Sequence, residues 1–85
     1  MKIIYHPKFK KEYKNLPTKI KNLACKKEEI FRVNNFDPRL NAHKLHGALD
    51  DFWSFSVNYK YRIIFEFIDN ETVRFYAIGN HDIYE

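Results

Sequence analysis

The sequence holds a single cysteine, Cys25, among its 85 residues, which excludes an internal disulfide. Its N-terminus lacks the long apolar stretch that a secretion signal or a membrane span requires. A reducing cytoplasm is therefore the expected compartment, with no membrane attachment. Repeats, low-complexity tracts and linker-like segments are also missing, so residues 1–85 are expected to form one domain. Acidic side chains are scarce in the first half. Residues 1–44 carry twelve Lys/Arg against four Asp/Glu, a net +8, whereas residues 45–85 carry three against seven, a net −4. The formal charge of +4 conceals an electrically two-sided molecule. A basic half of this kind draws phosphate backbones or an acidic protein partner by salt-sensitive steering, or serves only as a solvated, lysine-rich helix face.

What the chain does have is apolar and aromatic bulk. A domain this small buries only about 60–65% of its unfolded surface, so its core must be rich. A 45% hydrophobic content with 18% aromatics supplies that core and argues against disorder.

Lys2 to His6 reads as a short strand, since β-branched and aromatic residues suit a pleat and Pro7 cannot continue the ladder. Between Lys8 and Leu16 the apolar residues Phe9, Tyr13 and Leu16 recur at i, i+4 and i+7, which predicts a helix stopped by Pro17. Thr18 is placed to cap a second helix, whose stripe of Ile20, Leu23, Ala24, Ile30 and Phe31 is interrupted by Lys27. Asp37-Pro38 closes it. The two helices form a hairpin whose outer face carries most of the positive charge.

From Phe52 onward the period changes to two. Trp53, Phe55 and Val57 alternate with Ser54, Ser56 and Asn58, giving one apolar face and one face of small polar groups open to water. Tyr61, Ile63, Phe65 and Phe67 then alternate with Arg62, Ile64, Glu66 and Ile68. After a turn at Asp69-Asn70-Glu71, Val73, Phe75 and Ala77 alternate with Arg74, Tyr76 and Ile78. Three strands in a meander, preceded by a strand and two helices, predict an α+β fold: a helical hairpin on a small twisted antiparallel sheet of about four strands.

Four segments in this order carry a family resemblance. They are the N-terminal strand with its helical hairpin, His43-Lys44-Leu45-His46-Gly47, Tyr61-Arg62-Ile63-Ile64-Phe65, and Gly79-Asn80-His81-Asp82-Ile83-Tyr84. Over nearly its whole length the chain resembles the RelE/ParE toxin superfamily of bacterial type II toxin–antitoxin systems, and specifically the RelE/YafQ-type mRNA endonucleases. The resemblance implies a RelE-like domain that cleaves mRNA in the ribosomal A site and is neutralised by a cognate antitoxin. The toxin alone is expected to be monomeric, and hetero-oligomeric with the antitoxin.

Metal-free RNA cleavage needs three things: a base for the 2′-hydroxyl, a stabiliser for charge on the pentacoordinate phosphorane, and an acid for the leaving 5′-oxygen. Arg62 offers a permanently charged fork matched to phosphate, unless it pairs with Glu66 on the same face. His81 occupies the position where RelE-like chains place a catalytic arginine or histidine, and its imidazole titrates near neutrality. Asp82 beside it is a candidate to orient the ring. Tyr84 matches the family's terminal tyrosine or phenylalanine, which stacks on a base or assists proton transfer. His43 corresponds to the histidine opening the equivalent loop of YafQ-like members and is a second acid/base candidate. Lys44, Asn58 and Lys60 are candidate RNA contacts. His43 and His46 have a metal-compatible spacing, but Cys25 belongs to a distant helix and a zinc site wants three or four convergent ligands, so neither metal nor cofactor is expected. Ser54 and Ser56 depart from the family, standing where RelE carries two lysines and YafQ-like chains an aspartate and a histidine. Two other readings share the fold: a ParE-like DNA gyrase inhibitor and an inactive relative that keeps only its antitoxin-binding surface.

Overall fold

Pro7 begins a helix as well as ending a strand. Its missing N–H is no loss in a first helical turn, and the preceding His6 accepts the Lys8 N–H on Nδ1 at 3.0 Å as the N-cap. In the computed structural model, which describes residues 1–80, strand β1 (Lys2–Tyr5) leads into helix α1 (Pro7–Lys14), and α2 follows over Thr18–Val33. Thr18 is not the cap expected of it. Pro17 takes that position, and its carbonyl accepts the N–H groups of Ile20 and Lys21 at 3.0 Å, leaving Thr18 one place inside the helix. Beyond α2, Asp37 accepts the Arg39 N–H at 2.9 Å and its guanidinium at 2.9 and 3.0 Å, bonds that hold the Asp37 carboxyl down to about 2. The Pro38–Leu40 3₁₀ turn thus formed ends on Asn41 in a left-handed conformation, φ 49°.

Four further strands complete the sheet: β2 (His43–Lys44), β3 (Trp53–Ser56), β4 (Arg62–Phe67) and β5 (Thr72–Gly79). Their spatial order is β1-β5-β4-β3-β2. The expected meander β3-β4-β5 is antiparallel throughout, but β1 lies parallel to β5, so the five-stranded sheet is mixed. His43 and Lys44 also pair with β3, extending the sheet by one strand beyond the expected four. A two-residue strand has too few positions to show a period of two.

The helices cover one face of the sheet. At the centre Phe31 of α2 is 0% exposed, its ring centroid 5.0 Å from Phe55, 5.0 Å from Phe65 and 5.4 Å from Phe75. Phe9, Ala24, Leu40, Ile3 and Val73 close around this aromatic cluster, with Tyr13, Leu16, Ile20, Leu23 and Ile30 at its margin. The expected helix stripes are the stripes that pack.

One register shift rearranges the last strand. Phe65 pairs with Phe75 and Ile64 with Ala77, so Tyr76 is an extra residue, a β-bulge. Strict alternation would put Ala77 towards the helices and Ile78 away. The bulge exchanges them: Ile78 joins the helix-side core, and Ala77 packs with Leu45 and Ile64 on the other face. Past the end of β1, the outer edge of β5 would be left open, and Glu12 of α1 serves it by accepting the Ile78 N–H on Oε1 at 3.1 Å. Because Ile78 is buried, Glu12→Ala strands that donor and should cost about 1–3 kcal/mol in urea unfolding. Glu12→Gln keeps an acceptor and should cost less. Equal losses for the two variants would show that the carboxylate's other bond, to Lys8 at 2.7 Å, carries the effect.

Candidate functional site

The face of the sheet away from the helices is only partly covered. The connection from β2 to β3 folds Leu45, Leu49 and Phe52 over Ile64, Ala77 and Tyr76 as a second, smaller core. Leu45 N–H donates to the Phe52 carbonyl at 2.9 Å, and Gly47 takes φ 75° in the intervening turn, a left-handed conformation that disfavours a side chain there. This cover overturns one expectation. Ser54, expected on a wet face, is 0% exposed, because residues 45–52 fold back on a face that β3's own alternation reads as open.

Cross-strand partners share a face. Ser56, Arg62 and Gly79 are Cα partners in one row across β3, β4 and β5, and His43, Ser54, Ile64 and Ala77 form the next row. His43 and Arg62 therefore stand on the same face, two strands and one row apart, with roughly 12 Å between their Cα atoms from standard strand spacing and rise. Lys44, the partner of Trp53, belongs to the opposite face at the sheet edge. His81, Asp82 and Tyr84 lie outside the described residues. Strand β5, which precedes them, ends at Gly79, the partner of Arg62.

Arg62 is half-buried and does not pair with Glu66, which is bound by Arg74 on the neighbouring strand. Its Nη1 donates to the Asn58 carbonyl at 2.7 Å, the one protein acceptor it meets among the described residues. The guanidinium has five N–H donors, so among the described residues most of the fork meets no acceptor. Asn58 builds the β3–β4 turn: its Oδ1 accepts the N–H groups of Lys60 at 2.9 Å and Tyr61 at 2.7 Å. Neither bond uses its side-chain amide N–H₂. Lys60 is exposed, with Nζ 5.9 Å from the Tyr61 ring centre. His43 is exposed at the edge, its Nδ1 lying 3.2 Å from the Asn41 carbonyl, which leaves Nε2 directed elsewhere. Among the described residues no three His, Cys, Asp or Glu side chains converge as metal ligands.

A cavity of about 320 Å³ lies on the helix side, lined by Tyr5, Phe9, Tyr13, Ala24, Cys25 and Ile63 among others. Two phenols in its lining are raised: contact with the Cys25 Sγ at 3.2 Å and burial push Tyr13 up to about 12, and burial with the hydrogen bond to Glu28 raises Tyr5. Ile63 and Arg62 are successive residues of one strand and point to opposite faces, so this cavity and the Arg62 face are separate.

The family model for RelE-like toxins of the type II toxin–antitoxin system HigB matches residues 6–81. No curated protein matches the chain by sequence. Among solved structures, the chain is similar to YafQ from E. coli strain BL21(DE3), with 19% identity, TM-score 0.77, and 96% of this chain and 94% of that one covered. It is similar to a YoeB/ParE toxin from Agrobacterium tumefaciens at 12% identity and TM-score 0.79, covering 95% and 99%. It is similar also to a chain of a YoeB-YefM complex from Staphylococcus aureus at 16% identity and TM-score 0.77, covering 95% and 97%. At such identities the structural likeness establishes the fold, and the match over residues 6–81 establishes the kinship. No described helix is long and apolar enough to cross a membrane.

Proposed function

Because the chain belongs to the RelE-like toxins of type II toxin–antitoxin systems, in their HigB-like group, we propose that it is an endoribonuclease. It cuts mRNA in the ribosomal A site without a metal and is silenced by a cognate antitoxin. The observation that carries this reading is the Arg62 guanidinium, held in place by the Asn58 carbonyl yet free of any carboxylate among the described residues. A buried or half-buried arginine without a counter-charge is costly unless an anion arrives to meet it, and a phosphate matches its fork.

In this reading Arg62 stabilises the charge that builds on the phosphorane as the 2′-oxygen attacks. His43, on the same face, and His81, which follows the segment tethered at Gly79, divide the roles of base towards the 2′-hydroxyl and acid towards the 5′-oxygen. Asp82 orients His81, and Tyr84 stacks on a base beside the cut. The Asn58 amide and the Lys60 ammonium take flanking phosphates, while Lys44 at the sheet edge meets the backbone further along. The basic helical hairpin supplies the surface for an acidic antitoxin segment. Support for such a partner comes from similar structures solved as YoeB-YefM and DinJ-YafQ complexes.

Induced alone, the chain should arrest growth, and primer extension should map new mRNA ends inside translated codons. His81→Ala should relieve the arrest with an unchanged melting temperature. Intact transcripts accompanied by DNA damage and arrested gyrase would move the assignment to a gyrase inhibitor. Normal growth without antitoxin would leave only the antitoxin-binding role.

A further inference from the structure

The acidic half of the molecule contains three cations, Lys60, Arg62 and Arg74. Arg74 is neutralised by Glu66. Of the other two, Lys60 lies in the turn of the β3–β4 hairpin and Arg62 opens β4; neither has a carboxylate partner among the described residues, and no acidic residue occurs between Asp51 and Glu66. Next to Lys60 on the tip stands Tyr59, 86% exposed. Other exposed aromatic rings are engaged: Phe36 and Phe67 both pack on Trp53, at 5.4 and 5.8 Å between centroids. Tyr59 has no such ring neighbour among the described residues.

The tip that presents this ring is fixed. Val57 N–H donates to the Tyr61 carbonyl at 2.9 Å, Asn58 Oδ1 accepts two N–H groups of the turn, and Arg62 Nη1 closes onto the Asn58 carbonyl at 2.7 Å. The residue before Tyr59 is thus bonded directly to the guanidinium of Arg62. An exposed aromatic plane on the same turn as two cations that meet no carboxylate among the described residues is an arrangement that single-stranded nucleic acid exploits, the cations following the backbone and the ring receiving a base.

From these contacts we infer that Tyr59 stacks on an unpaired RNA base next to the phosphate held by Arg62, fixing the substrate's register without touching the reacting atoms. The inference rests on the ribonuclease reading and adds a positioning residue to it. An acidic protein segment would also be drawn to Lys60 and Arg62, but it has no need of an outward-facing ring on a rigid tip.

The test uses ribosomes programmed with mRNA carrying 2-aminopurine in or beside the A-site codon. In one arm the scissile nucleotide is 2′-O-methylated so that binding is read without cleavage. Tyr59→Ala should raise KM roughly 5- to 100-fold, with kcat changed less than about threefold and the melting temperature unchanged, as befits an exposed ring. Tyr59→Phe and Tyr59→Trp should restore KM. Loss of 2-aminopurine quenching in Tyr59→Ala identifies the stacked base as one of the mRNA and supports the inference; a KM effect with unaltered quenching overturns it, placing the ring against ribosomal RNA instead. An unchanged KM overturns the inference, as does Tyr59→Phe behaving like Tyr59→Ala, or a loss confined to antitoxin affinity. If the unaltered protein binds the methylated complex but cuts no RNA, only the nuclease reading falls. If it binds neither form, both fall.

Discussion

Arg62→Ala should lower the rate of cleavage of ribosome-bound mRNA by about 10²–10³-fold, the usual loss when one preorganised donor to a transition-state oxyanion is removed. The loss should fall on kcat, since charge on the phosphorane exceeds that on the ground-state phosphate. Arg62→Lys is the informative companion. It retains a positive charge on the same face but replaces a planar fork by a flexible point charge and gives up the geometry of the bond to the Asn58 carbonyl. Its rate should lie between those of alanine and arginine. Single-turnover cleavage measures both variants, and circular dichroism melting verifies that each is folded. Full activity in Arg62→Ala would remove the centrepiece of the proposed site, while a collapse in melting temperature would show that the arginine's main work is to hold the turn.

Phe31→Ala should be the most damaging single change to the fold, at about 3–5 kcal/mol. The ring is fully buried and lies within 5.0–5.4 Å of three other phenylalanine rings contributed by β3, β4 and β5. Removing it takes away both the apolar area and the edge-to-face contacts that join α2 to the sheet. A domain of this length has roughly 4–13 kcal/mol in total, so the variant should lose a large part of its stability and be substantially unfolded at 37 °C if the wild type lies near the low end. Phe31→Leu, which fills most of the space, should cost much less. Chemical unfolding of the two proteins in parallel checks the ranking. A difference under about 1 kcal/mol between wild type and Phe31→Ala would mean that the aromatic cluster closes over the gap.

The helical hairpin was legible because its information is local. Phe9, Tyr13 and Leu16, then Ile20, Leu23, Ala24, Ile30 and Phe31, recur at helical spacing, and those side chains do face the sheet. Prolines 7 and 17 marked the boundaries, although the capping role assigned to Thr18 belongs to Pro17 because the helix starts one residue earlier. The alternation of Phe55, Ile63, Phe65, Val73 and Phe75 likewise gave the helix-side face of the meander.

Features that depend on two distant segments were not legible. Ile78 and Ala77 exchange faces because Tyr76 bulges, and a bulge is a mismatch between strands that one strand's pattern does not register. Ser54 is buried because residues 45–52 fold over it, so its small polar side chain says nothing about water. Arg62 offered a choice between phosphate and Glu66, and Arg74, reaching Glu66 from β5, settles that Glu66 is taken.

By itself, then, the sequence determined the α+β class, the stripe of each helix, the two-sided charge and the family, since all of these are written in periodicity, composition and ordered motifs. Tertiary structure alone decided that β1 runs parallel to β5, that the sheet has five strands, and that Arg62 shares a face with His43 beside Gly79 and meets no carboxylate among the described residues. The physical reason is range. A helix or strand period records which side of an element avoids water, whereas pairing, register and the partner of a charge are settled by whichever remote segment competes best for the same surface or donor.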